Sequence, residues 1–201
     1  MKILMSVITA FLFFQISVAV AQNTDRGDRH RAHVIVPAAV AEGPSTDPSA
    51  ALAAFEKIKG LVGEWEAREG VAYGGRPIRV SYKIVSNGTG VMETYFQVGV
   101  DMIDMVTVYH LDGDKLMMSH FCAVNNQVRL RADPILEAGN ALRFSYVDAT
   151  NLSVSNKELM NGLVITFQDR DHFTQRWTWR LTNDKGETVD KKAVYSFVRR
   201  K

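Results

Sequence analysis

The chain has 201 residues, a formal net charge of +2 at neutral pH and a single cysteine. A balance so close to neutral lacks the basic excess of a nucleic-acid binder, and a lone cysteine cannot close an internal disulfide. The fold must be held by an apolar core, and with 46% hydrophobic residues the chain has the material to build one.

Lys2 precedes an apolar run from Ile3 to Ile16, and Val18-Ala19-Val20-Ala21 supplies the small residues a signal peptidase recognises. Residues 1–21 are therefore expected to be a signal peptide cleaved after Ala21, with a periplasmic or secreted product. The apolar run falls short of the roughly 20 residues that span a membrane, so no membrane span is expected. No cysteine sits at the cleavage point to carry a lipid anchor. Residues 22–46 are mixed-charge and then Pro/Ala/Ser-rich, the composition of a flexible tether. His30 and His33 lie on that arm, where a solvated role is expected rather than metal binding.

A barrel domain is expected over 47–201. Asp47-Pro48 supplies an N-cap and a first-turn proline. Leu52, Phe55, Ile58 and Leu61 then follow at helical spacing, with Gly60 or Gly63 as the stop. Beyond that point the periodicity changes to two. Ile78, Val80, Tyr82 and Ile84 alternate with Arg79, Ser81 and Lys83, and Asn87-Gly88 signals a hairpin into Val91–Val98. Further strands are predicted at 102–110, 115–123, 127–132, 141–147, 158–167, 171–181 and 189–199, with 64–73 as the first. About ten strands joined by short turns make an all-β, up-and-down antiparallel meander. Closing that meander into a barrel removes its exposed edges.

Gly63-Glu64-Trp65, entering the first strand behind a short helix, resembles the Gly-x-Trp opening of lipocalin and calycin barrels. That resemblance implies a tryptophan plugging the barrel base under an arginine from a late strand, here Arg199 or Arg200. A second resemblance spans about residues 55 to 198. His120-Phe121-Cys122, Asn126-Gln127, Asn151, and Asp171-His172 before Trp177 are similar to features of the uncharacterised bacterial proteins of the DUF1579 type. It implies a lipocalin-like fold and no established activity.

Alternation places Leu116, Met118, His120 and Cys122 on one strand face, predicted to be interior, and Met117, Ser119, Phe121 and Ala123 on the other. Three kinds of chemistry use such a face. His, Cys and Met are metal ligand types, and barrels of the nitrobindin kind hold haem through a histidine, so haem or a metal at His120 is one alternative. That needs further ligands, and His110 and His172 both sit beside turns. A Cys-His nucleophile needs the two groups in hydrogen-bond reach, which same-face neighbours on one strand do not provide. The third is a mostly apolar cavity with a few placed polar groups.

A cavity has ample material here: Tyr82, Tyr95, Tyr109 and Tyr146 on alternating positions, Glu93 and Gln97 around Tyr95, and Phe173, Gln175, Trp177 and Trp179 on one face. The expected ligand is a small, largely apolar molecule. The ligand-binding candidates are His120, Cys122, Met118, Tyr95, Glu93, Gln127, Gln175 and Trp177, with no catalytic or metal residues assigned. A filled barrel acting as a structural or interaction module is the remaining alternative. In that case Cys122 is a small hydrophobe, Asn125-Asn126 is a turn, and Arg129 and Arg131 form a solvated face. Ligand identity and oligomeric state are not encoded in these patterns.

Overall fold

The structure is a computed structural model that describes residues 48–69, 76–99, 103–133, 140–152 and 158–201. The expected leader, the tether with His30 and His33, and the Asp47 cap lie outside the described residues. Helix α1 spans Pro48–Lys59. Ten strands follow: β1 Gly63–Glu69, β2 Ile78–Val85, β3 Gly90–Gln97, β4 Ile103–Asp112, β5 Lys115–Phe121, β6 Gln127–Ala132, β7 Ala141–Thr150, β8 Glu158–Phe167, β9 His172–Thr182 and β10 Thr188–Arg199. Every strand pairs antiparallel with its chain neighbours, and β1 also pairs with β10, so the sheet closes. The all-β, up-and-down barrel expected from the periodicity is the observed fold.

Closure gives the barrel two ends. The base carries α1, the β4–β5 turn and the β8–β9 hairpin. The mouth carries the β5–β6 and β9–β10 turns. Helix α1 lies against β4 and β5 and adds Ala54, Phe55 and Ile58 to the core. Leu52, expected on the buried stripe, is 50% exposed, and Ala51 and Ala54 are buried instead. A 3.6-residue period run through Phe55 and Ile58 passes through Ala51 and Ala54, which are easily missed as apolar because they are small.

At the base, Trp65 is fully buried and its Nε1 donates to the Leu61 carbonyl at 2.7 Å. The Arg199 guanidinium lies over its ring, 4.1 Å from the centroid. The same guanidinium donates to the carbonyl oxygens of Val62 (2.8 Å), Gly60 (3.1 Å) and Arg170, and its Nε is 3.2 Å from an Asp171 carboxylate oxygen. One side chain thus ties the end of α1, the first strand and the β8–β9 hairpin together. Gly63 is required by this arrangement. Its φ is +132°, and a Cβ there would sit 2.8 Å from an Arg199 nitrogen. Of the two candidate arginines, Arg199 is the one over the tryptophan.

Aromatic rings fill the lower half. Trp65 meets Phe173 edge-on at 4.7 Å, Phe173 stacks on Phe197 at 4.9 Å, and Tyr109 meets Phe144 at 5.8 Å. Pairs of this geometry add about 0.5–1.5 kcal/mol each beyond the area they bury. The β2–β3 connection is a four-residue loop rather than a two-residue turn, with Ser86, Asn87 and Gly88 all at positive φ. Strand β7 runs to Thr150, past the expected Val147, because pairing with β6 continues through Asp148 and Ala149 despite their weak strand preference. No helix among the described residues is long and apolar enough to cross a membrane.

Candidate functional site

Above the aromatic base, a row of inward positions runs across five adjacent strands at one level. Tyr82 pairs with Glu93, Glu93 with Thr107, Thr107 with His120, and His120 with Val128. All five are buried. Strict two-residue alternation in each strand, together with the register, aligns these side chains. Gln175 reaches the row from β9 on the opposite wall. Its Nε2 donates to Glu93 Oε1 at 2.9 Å and to the Tyr82 hydroxyl at 2.8 Å, and its Oε1 accepts from Trp177 Nε1 at 3.1 Å. The Tyr109 hydroxyl donates to the other Glu93 oxygen at 2.7 Å.

Burial sets the protonation states. Desolvation raises the Glu93 carboxyl above its ordinary value, partly opposed by its hydrogen bonds from Gln175, Tyr109 and Tyr82. Burial, and then the Glu93 charge, hold the Tyr82 and Tyr109 hydroxyls firmly protonated. His120 is pushed down to about 4 by desolvation, so it is neutral at physiological pH. Its Nδ1 lies 2.9 Å from Thr107 Oγ1, and its ring sits 4.9 Å from that of Trp177. Its Nε2 is buried and has no hydrogen-bond partner. Buried polar atoms are seldom left this way, since each costs about 1–3 kcal/mol.

The His120 side chain is part of the lining of a cavity in the upper half of the barrel. Glu93, Thr107 and His120 provide its polar wall, with Tyr95, Trp177, Trp179 and Tyr195 as the aromatic one. Met105, Met160 and Ala193 complete it. The volume is about 40 Å³ for the centres of water molecules, inside an envelope of about 420 Å³ that includes open solvent at the mouth. A compact space of that size has a wall-to-wall radius of about 3.5 Å once the 1.4 Å radius of water is added. It suits a small head group rather than a large cofactor, although the two methionines are flexible enough to yield.

The sequence candidates therefore separate. Glu93, Tyr95, His120 and Trp177 line the cavity. Gln175 sits behind them in the hydrogen-bonded row. Met118 is fully buried in the core cluster, one pair of residues deeper than His120. Gln127 faces outward, its Oε1 accepting from Thr150 Oγ1. Cys122 lies in the β5–β6 turn, where its N–H donates to Asn126 O and its carbonyl accepts from Asn125 N, each at 3.0 Å. It is half-buried, and desolvation raises its thiol pKa. Tyr146 is 40% exposed beside the β6–β7 register irregularity.

The asparagines around Cys122 hold the mouth together. Asn125 adopts φ +66°, Asn126 Nδ2 donates to the Glu158 carbonyl at 2.7 Å, and Asn151 donates to the Asn125 carbonyl. Arg129 pairs with Asp148 on the outer wall. Asp169 accepts from the Asp171 N–H and contacts the His172 ring, so the Asp-His hairpin is turn chemistry at the base. Among the described residues no three His, Cys, Asp or Glu side chains gather as a metal cluster. Thr107, Met105, Met160, Ala193 and Tyr195 were absent from the expected site. Stepping by two from Tyr109 and from Phe197 would have found all of them except Met160, which sits at the β8 irregularity.

No family model matches the chain, and no curated protein is similar to it. Among solved structures, Rv2717c from M. tuberculosis is similar, with 13% sequence identity, coverage of 74% of this chain and 97% of that one, and a TM-score of 0.44.

Proposed function

We propose that this protein is an exported, lipocalin-like barrel that binds a small, largely apolar ligand in its upper cavity. The observation that carries the reading is His120, whose Nε2 is buried without a partner and whose side chain lines a cavity walled mostly by aromatic and thioether side chains. A neutral imidazole fixed through Nδ1 by Thr107 holds Nε2 in one direction, ready to pair with a ligand's polar end. The apolar body then packs on Trp177, Trp179 and Tyr195. Gly63, Trp65 and Arg199 support the lipocalin-like kinship, and the Lys2–Ala21 segment supports export.

Native mass spectrometry of protein purified from its own host tests the proposal. The wild type carries a co-purifying small molecule. Ala193→Phe, which fills the cavity from β10, loses it while keeping the barrel's circular dichroism. A wild type free of adducts, or one whose adduct survives Ala193→Phe, contradicts the reading. A Soret absorbance band would replace it with haem binding at His120.

A further inference from the structure

The cavity's electrostatics are one-sided. Among the described residues lining it, none is a lysine or arginine, and His120 is neutral at physiological pH. The single ionisable acid is Glu93. It is faced by Tyr82 from β2, Tyr109 and Thr107 from β4, His120 from β5 and Gln175 from β9, none of which carries a charge at neutral pH. Four aromatic rings border the remaining space. A carboxylate or phosphate entering here meets no countercharge and lies near a carboxyl group, so its desolvation goes uncompensated. A cation meets a carboxylate and electron-rich rings.

We propose, resting on the ligand-binding reading above, that the polar end of the ligand is a protonated amine, held between Glu93 and the unpartnered His120 Nε2. The two groups lie on one side of the cavity, separated only by Thr107 on the strand between them. When His120 carries its proton on Nδ1 and donates it to Thr107 Oγ1, Nε2 is an acceptor, which an ammonium N–H satisfies and a carboxylate does not. Glu93 supplies the countercharge from the cavity wall, its two oxygens already oriented by Tyr109 and Gln175. Burial raises the Glu93 carboxyl in the empty cavity, and an ammonium beside it favours the charged form, so the arriving amine and the carboxylate stabilise one another as an ion pair. A neutral ligand offers Glu93 no such countercharge.

Three near-isosteric probes of different charge test this: benzylamine, benzyl alcohol and benzoate, titrated against the fluorescence of the cavity tryptophans at pH 7.5. In the wild type benzylamine binds about tenfold or more tightly than benzyl alcohol, and benzoate binds most weakly. Glu93→Gln removes the preference for the amine, so that benzylamine and benzyl alcohol bind within about threefold of one another. The wild-type ranking needs no variant, so it stands even if Glu93→Gln folds poorly. Equal or tighter binding of the alcohol, or any preference for benzoate, overturns the amine assignment and leaves cavity binding intact. Failure of all three also overturns it, and the host-purified mass spectrum then decides separately whether the cavity binds anything.

Discussion

Replacing His120 with glutamine gives a test of its buried, neutral state that needs no ligand. In the unfolded chain an imidazole titrates near 6.5, whereas in the fold His120 is held down to about 4. Between those values the unfolded chain binds a proton that the folded one refuses. Stability is therefore unaffected above pH 6.5 and falls as pH drops through the window to about 4. The depression corresponds to about 3 kcal/mol when the window has been fully crossed. His120→Gln keeps a polar group near Thr107 but cannot titrate, so it lacks this component. The assay is urea unfolding of both proteins at intervals from pH 7.5 to 4.5. Other groups titrate in both, so the quantity that matters is the difference between the two curves. The wild type loses about 2–3 kcal/mol more than the variant over that range. Parallel curves would show that His120 takes up its proton freely in the fold, and the reasoning that makes it a neutral anchor would fail.

Arg199→Ala removes the guanidinium from Trp65 and orphans the Gly60, Val62 and Arg170 carbonyls; it is expected to cost about 3 kcal/mol, a fall in Tm of roughly 6–12 °C by thermal unfolding, and a loss below 1 °C would contradict the clamp. Glu93 has the opposite sign to His120. Its raised folded value means stability falls as pH rises from the ordinary 4.5 through that value, so the Tm of Glu93→Gln should gain on the wild type over the same pH interval. Cys122, half-buried with a raised pKa, should react with a thiol reagent at pH 7.5 about tenfold more slowly in the fold than in urea, and equal rates would place it in the open.

Period-two alternation made most of the barrel legible. It located the ten strands and put Leu116, Met118 and His120 inside. What it does not encode is which inward residues share a level. That depends on register, and register here is set by turns and irregularities such as the β3–β4 shift at Tyr95 and the β8–β9 shift at Met160. Glu93, Thr107 and His120 come from three strands and are neighbours only because of it. The segment from Cys122 to Gln127 shows the converse. Clustered polar residues near a histidine suggested a site, yet Asn125 and Asn126 are occupied in holding the mouth, since asparagine tolerates left-handed backbone and the Asn126 amide reaches β8, two pairings from β6. Helix α1 was legible in extent and in Phe55, Ile58 and Leu61; only Leu52 was misplaced, because the buried Ala51 and Ala54 carry little hydrophobic signal.

The central claim is that one neutral, buried histidine presents Nε2 to a ligand. Long-range proton–nitrogen NMR on histidine-labelled protein observes that atom among the chain's five histidines. The account predicts one imidazole that stays neutral at pH 5.5, disappears in His120→Gln, and shifts at Nε2 when the small-molecule extract of host-purified protein is added. Five imidazoles that all titrate near 6.5, or an Nε2 signal unmoved while the extract binds, would contradict it.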